Sequence, residues 1–202
     1  MKILKILLLI LMCINDKSFE LDDVEFVKNY ELPSEFSKQA CKLVNEFIKI
    51  TKELSFEVVV YFDYKSGEII KIFGGTFDNI RIDEDLSDLE GRHLASIHNH
   101  PDGVYSPPSG KNFGILKRNF EDYELISGYN GLWILTAKGV NEDLMIDLRF
   151  YSEMLFELLF NFSRNYSSNN VNDRLDEEYG KHLSKYVNDK QIENLKLVKK
   201  EF

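Results

Sequence analysis

The sequence predicts an α/β (α+β) domain: a mixed β-sheet flanked by helices, with a helical addition at its C-terminal end. Three observations support this class. The chain has 202 residues, 44% hydrophobic and 29% charged, a composition typical of one folded domain. Helix and strand patterns alternate between residues 34 and 140 without a repeat. Residues 141–202 are then mostly helical in pattern, and we expect them to pack on the core.

A helix and a hairpin come first. From Ser34 to Thr51, apolar residues recur at spacings of three and four, which indicates an amphipathic helix. Residues 56–63 and 68–75 are rich in β-branched and aromatic side chains, and a turn-type sequence at 64–67 separates them. This arrangement predicts a β-hairpin.

The middle of the chain predicts further strands and one helix. We expect a short strand at residues 80–82 and a buried strand at 93–100. Ser109 can cap a helix that runs to Phe120. Residues 123–139 predict two more strands joined by a glycine-containing turn, with an apolar Trp133 inside the second. The sheet therefore gains its central members here.

The C-terminal part predicts a long helix with an apolar stripe that belongs to the core. The stripe contains Phe150, Met154, Leu155, Leu158, Leu159 and Phe162. Residues 171–187 predict a second, more polar helix. Residues 192–202 fit either a final strand or a frayed helix.

Charge and cysteine content restrict the partners and the compartment. The chain has 34 Asp and Glu against 25 Lys and Arg, a net charge of −9. Nucleic-acid binding domains normally have an excess of basic residues, so a nucleic-acid partner is not expected. Cys13 and Cys41 have neither metal-type spacing nor a disulfide pattern. A reducing, cytoplasmic location is therefore the simplest expectation.

The N-terminal segment, residues 1–33, begins with a pattern that leaves several interpretations open. Two lysines precede an unbroken apolar run from Ile6 to Ile14, as in a signal peptide. That run is too short to span a bilayer comfortably, and the residues after it make a poor cleavage site. Residues 1–14 are thus a signal or membrane anchor, a buried apolar element, or a segment upstream of a true start at Met12.

Two histidines carry the strongest chemical signal. His98 and His100 end a predicted strand, where alternate residues project from the same face. Paired neutral imidazoles suit a divalent ion such as Zn²⁺, which takes nitrogen ligands at about 2.0 to 2.1 Å. A proline-rich loop follows at once, and then come Ser109 and Asn112 near the start of a helix.

The string HNHP followed by SPPSGKN resembles the motif of the JAB/MPN metalloproteases, also called JAMM, and the resemblance spans roughly residues 55–140. In that family a glutamate precedes His-x-His-Pro, and Ser-x-x-Asp follows it. The HNHP form is most similar to the prokaryotic branch with RadC-like and phage-associated members. The resemblance implies a cytidine-deaminase-like JAB/MPN core at residues 34–140, bound Zn²⁺, and hydrolysis of a peptide or isopeptide bond.

Carried over residue by residue, the resemblance implies that His98, His100 and Asn112 hold the metal. It also implies catalytic roles for Glu57 and Ser109. Glu57 would take a proton from the attacking water and return it to the leaving amine. Ser109 would donate a hydrogen bond to the developing oxyanion, cap its helix, or do both.

Strand alternation places Glu57 on one face with Val59 and Tyr61. Glu57 is therefore the preferred candidate for the glutamate that accepts the proton. Glu53 is the reserve candidate. Glu68 and Glu90 are less favoured.

The sequence departs from the family motif in two ways. Eight residues separate His100 from Ser109, one more than in the motif, which a surface loop tolerates. More seriously, Asn112 stands where the family has aspartate. An amide oxygen can coordinate but brings no negative charge, so we expect weaker zinc retention.

The implied substrate is a polypeptide, such as a ubiquitin-like conjugate, a sulfur-carrier precursor, or a phage- or toxin-associated protein. Two alternatives to an enzyme remain. One is a non-catalytic MPN-like scaffold or interaction domain, which is favoured by Asn112 in place of the family's aspartate ligand. The other is a RadC-like protein linked to DNA, which the acidic charge disfavours.

Overall fold

The computed structural model shows an α+β protein in which a mixed sheet lies between helices, and this confirms the predicted class. The described residues are 32–76, 80, 82, 89, 91–101, 121–128, 131–137, 142–164, 178–183, 185, 186, 189 and 195–201. The elements are α1 (Lys38–Thr51), β1 (Val58–Asp63), β2 (Ile69–Gly74), β3 (Leu94–Asn99), β4 (Tyr123–Ser127), β5 (Gly131–Ala137), α2 (Glu142–Arg164) and β6 (Leu195–Glu201). Residues 178–183 are also helical.

The described strands form one six-stranded sheet in the order β2-β1-β3-β4-β5-β6. β3 and β4 pair in parallel, and each of the other neighbouring pairs is antiparallel. The predicted hairpin is β1 and β2. The tail, which the sequence left open between strand and helix, is the edge strand β6. β3 lies inside the sheet, so its carboxyl end is supported by a strand on either side.

The helix α1 covers one face of the sheet. It begins at Lys38 and not directly after the predicted start signal at Ser34, because residues 33–36 form a turn closed by Phe36 N–H on the Pro33 carbonyl. Ser37 then caps the helix by accepting a hydrogen bond from Ala40 N–H at 3.1 Å. The apolar side of α1 packs on alternate residues of the strands, which include Val58, Val60, Phe62, Ala95, Ile97 and Leu125.

The opposite face of the sheet carries two separate apolar clusters. The first, which we call the β1 cluster, contains Val59, Tyr61, Leu89 and Leu94, with Ile80 and Ile82 packed against it. The second, the α2 cluster, contains Ile126, Trp133, Leu135, Leu148, Leu155, Tyr179 and Leu183. A polar band that includes Ser96, His98 and Glu124 lies on the same face, on β3 and β4 between these clusters.

Two sequence expectations differ from the structure. Ile80 and Ile82 are not in a strand, because they pack over the face of the sheet in the β1 cluster and do not pair with its edge. Of the predicted core stripe, Leu155 is buried and Leu159 packs against the α2 cluster, as expected. Phe150, Met154 and Leu158 are exposed, because α2 turns the side with Leu148 and Leu155 toward the sheet. Trp133 is buried, as expected.

None of the helices in the described residues combines the length and the hydropathy needed to cross a bilayer. The apolar run in residues 1–14 lies outside the described part of the chain.

Candidate metal centre

The two imidazoles at the carboxyl end of β3 face each other. Their Nε2 atoms lie 3.2 Å apart, and their ring centroids are 5.0 Å apart. In a tetrahedral zinc site with Zn–N bonds of about 2.0 to 2.1 Å, two ligand nitrogens lie about 3.3 to 3.4 Å apart. His98 and His100 therefore have the separation of two ligands to one ion.

His98 is uncharged in this environment. Its side chain is buried, and burial lowers the pKa of the imidazole well below its ordinary value because the charged form loses its hydration. The neighbouring His100 lowers the pKa further. A neutral ring keeps the nitrogen lone pair that a metal ion requires.

A buried carboxylate lies behind His98. Glu124 Oε1 is 3.6 Å from His98 Nδ1, and Glu124 is 1% exposed. A carboxylate on the Nδ1 side favours the tautomer with its proton there, which leaves Nε2 free to act as a ligand. In metal sites such outer carboxylates orient the histidine. Glu124 was not among the predicted site residues, although a glutamate inside a largely apolar predicted strand was a signal for it.

The sheet register brings Glu57 to the same end of the sheet. β1 and β3 are antiparallel, and their last pair is Val59 with His98; continued by two residues, this register would bring Glu57 opposite His100. Directly opposed residues share one face of an antiparallel pair. Glu57 is buried, and its main chain continues the pairing with the β2 side, since Glu57 N–H donates to the Thr76 carbonyl at 2.7 Å.

Asn99, the residue between the two histidines, holds these strand ends together from the other face of the sheet. Its Oδ1 accepts a hydrogen bond from Val58 N–H at 2.8 Å, and its Nδ2 donates to the Phe56 carbonyl at 3.1 Å. His100 N–H donates to the Ser127 carbonyl and so continues the parallel ladder to β4. The Asn99 amide thus supplies main-chain partners on both sides of Glu57, at Phe56 and Val58. Asn99 had no predicted role.

Other predicted site residues fall into two groups. Ser109, Asn112 and Glu90 lie outside the described residues. Glu53 and Glu68 are exposed. Near His98, Ser96 of β3 and Glu121 form another buried polar pair. Ser96 Oγ donates a hydrogen bond to a carboxylate oxygen of Glu121.

The fit to a metal ion depends on the histidine pair. Two converging imidazole nitrogens, one of them in the buried, neutral ring of His98 with a carboxylate behind it, are a suitable half-site for zinc. Within the described residues, no group of three or more His, Cys, Asp or Glu side chains is arranged to hold a metal ion. The third predicted ligand, the amide of Asn112, lies outside the described residues.

The fold and the site together define an α+β protein with a paired-imidazole centre at the end of an interior strand. Comparison of the chain with protein-family models, with curated proteins and with solved structures found no match. Its function is therefore inferred from the residues and their geometry.

Proposed function

We propose that this protein is a zinc-dependent hydrolase of the JAB/MPN type that cleaves a peptide or isopeptide bond with water. The observation that carries the proposal is the 3.2 Å separation of the His98 and His100 Nε2 atoms at the end of β3. That separation suits two ligands of one tetrahedral ion. The His-x-His-Pro sequence occurs at this same point of the chain.

The position of Glu57 supports the same proposal. A hydrolase of this type needs a carboxylate close to the ligands but separate from them, so that it can move a proton. Continued two residues beyond its last pair, Val59 with His98, the β1–β3 register would bring Glu57 opposite His100, on the face that carries both imidazoles. Glu57 also precedes His-x-His-Pro in the chain, as the glutamate of the JAB/MPN motif does.

Each residue then has one task. When bound, zinc supplies a Lewis acid that polarises the scissile carbonyl and acidifies the attacking water. His98, His100 and Asn112 would hold the ion, and Glu124 would keep His98 in the tautomer that leaves Nε2 free for it. Glu57 accepts the proton of the water and passes it to the leaving amine, while Ser109 donates a hydrogen bond to the oxyanion. The substrate is a polypeptide, for which a ubiquitin-like conjugate or a phage- or toxin-associated protein is the expected class.

The first experiment measures zinc in purified protein by elemental mass spectrometry after mild dialysis. The His98→Ala/His100→Ala variant should lose the zinc that the wild type retains. The matched control is His93→Ala/His182→Ala, which removes the other two histidines of the chain, both exposed, and should retain the metal. A wild-type protein that holds no zinc and takes up none when zinc is added would refute the proposal.

The second candidate function is a non-catalytic scaffold, and Asn112 favours it because the residue lacks the charge of an aspartate ligand. Asn112→Asp should tighten zinc binding if residue 112 is the third ligand. Turnover of a fluorogenic isopeptide by the wild type would exclude the scaffold. Zinc binding without turnover in both the wild type and Asn112→Asp would favour it.

A further inference from the structure

The outer side of α2 carries an uncovered row of large apolar side chains. Ile146, Phe150, Met154 and Leu158 are 59%, 70%, 45% and 61% exposed, and they recur every four residues. Residues spaced by four lie above one another on a helix, so the row is continuous over about 18 Å. Soluble proteins rarely expose such a row unless something binds to it. We call it the α2 stripe.

Acidic residues border the α2 stripe. The helical repeat puts Asp143 and Asp147 on one side of the stripe and Glu153 and Glu157 on the other, and all four are exposed. Arg149, an exposed basic residue of α2, has its Nε 3.1 Å from Glu153 Oε1, and Lys185, near Tyr151 of α2, is paired with Asp189. The stripe therefore suits an apolar segment with positive charge at its edge. A second copy of this chain would bring two acidic borders together, and an anionic lipid surface would meet the same repulsion.

We propose that residues 3–14 of the same chain bind to the α2 stripe. This segment is apolar except for Lys5, and Lys2 precedes it. It thus has the charge that complements the acidic border. Twelve residues span at least about 18 Å even in a helical conformation, which equals the length of the stripe.

The chain is long enough for this contact. The described chain begins at Leu32, which packs on the α1 side of the sheet, whereas α2 packs on the other side. Residues 15–31 can span up to about 56 Å when extended. That reach exceeds the thickness of a helix layer and a sheet layer, each about 10 Å. A segment preceding Leu32 can therefore pass around the sheet to α2.

Disulfide trapping in the full-length chain tests the contact directly. In a Cys41→Ser background, Cys13 is the only native thiol, and a second cysteine is introduced as Phe150→Cys or as Met154→Cys. After copper-phenanthroline oxidation, peptide mapping should find an intrachain disulfide from Cys13 to the new thiol, several-fold more abundant than with Arg149→Cys. Arg149 is the matched control because it is exposed on the same helix but lies off the stripe.

Thiol labelling provides a second measurement that needs no exact disulfide geometry. In a Cys13→Ser/Cys41→Ser/Met154→Cys chain, adding Leu8→Asp should raise the rate of maleimide labelling several-fold, because it weakens the apolar contact. An unchanged labelling rate would refute the proposal. So would disulfides that form only between two chains, which indicate a second copy, or equal trapping at Arg149→Cys. The proposal would also be refuted if the chain co-sediments with lipid vesicles and no intrachain disulfide forms, because residues 3–14 would then bind a membrane.

Discussion

Asn99 Oδ1 accepts a hydrogen bond from the main-chain N–H of Val58 at 2.8 Å. This bond joins the end of β3 to the start of β1 on the face away from the imidazoles. It lies one residue beyond the last β1–β3 pair, Val59 with His98, while His100 N–H continues the ladder to β4. A side-chain amide thus supplies the partner of Val58 N–H where the main-chain pairing of β1 with β3 has ended. It ties Val58 and Phe56, the neighbours of Glu57, to the residue between the two histidines.

We therefore predict that Asn99→Ala lowers the free energy of unfolding. The substitution removes the partners of Val58 N–H and the Phe56 carbonyl, and an unsatisfied buried polar group costs about 1 to 3 kcal/mol. Urea unfolding measures the loss, with Lys49→Ala, an exposed change on α1, as the control. Equal stability of the two variants would show that the Asn99 amide does not hold the strand ends.

Glu57→Gln should abolish most hydrolysis while the protein keeps its zinc. The amide is nearly the same size but cannot accept the proton, and general-base catalysis contributes about 10²- to 10⁴-fold. Glu68→Gln is the matched control, since Glu68 is exposed at the far end of the hairpin. Full activity of Glu57→Gln would mean that another group is the base.

Glu124→Gln should weaken zinc binding by about 10- to 100-fold, the usual effect of losing an outer carboxylate. The physical reason is its position 3.6 Å from His98 Nδ1, where the negative charge favours the metal-binding tautomer. Competition with a fluorescent chelator measures the affinity. Glu121→Gln, which changes the buried carboxylate that bonds to Ser96, is the control, and an equal loss in both variants would argue against a specific role for Glu124.

Local patterns were enough to predict the parts of the fold that depend on neighbouring residues. Alternation and turn composition predicted the hairpin. The His98–His100 pair was predictable because two residues of a strand that are two positions apart project from the same face. Strand order could not be derived in this way, because β1 pairs with β3 across more than thirty residues of chain. The role of Asn99, and the position of Glu124 beside His98, became visible only once that order was known. Phe150, Met154 and Leu158 were predicted to be core together with Leu155, because a helix normally buries its apolar side. The helix α2 has apolar residues on two sides, however, and buries only the side with Leu148 and Leu155.

Two buried phenols at the far end of the sheet make the stability of the fold sensitive to alkaline pH. Tyr123 donates a hydrogen bond to Glu35 Oε1 at 3.0 Å, and its side chain is buried. Burial, and then the bond to Glu35 and its charge, raise the pKa of Tyr123 to about 12. The pKa of Tyr64 is also raised, chiefly by burial and by its bond to Asp122. Both phenols therefore stay protonated in the folded state at pH values where they ionise in the unfolded chain.

The sign of the effect follows from linkage. The folded pKa of Tyr123 lies above the unfolded value of about 10. The contribution of its protonated phenol to the free energy of unfolding is therefore fully present below that pH and is lost as pH rises toward 12. Within that window the loss is about 1.4 kcal/mol for each pH unit. Tyr123→Phe cannot ionise, so its free energy of unfolding should fall less steeply above pH 10 than that of the wild type. Urea unfolding on both sides of this pH separates the two effects: the difference at neutral pH reports the lost hydrogen bond, and its change with pH reports ionisation. Parallel curves for variant and wild type would show that Tyr123 ionises alike in the folded and unfolded chains.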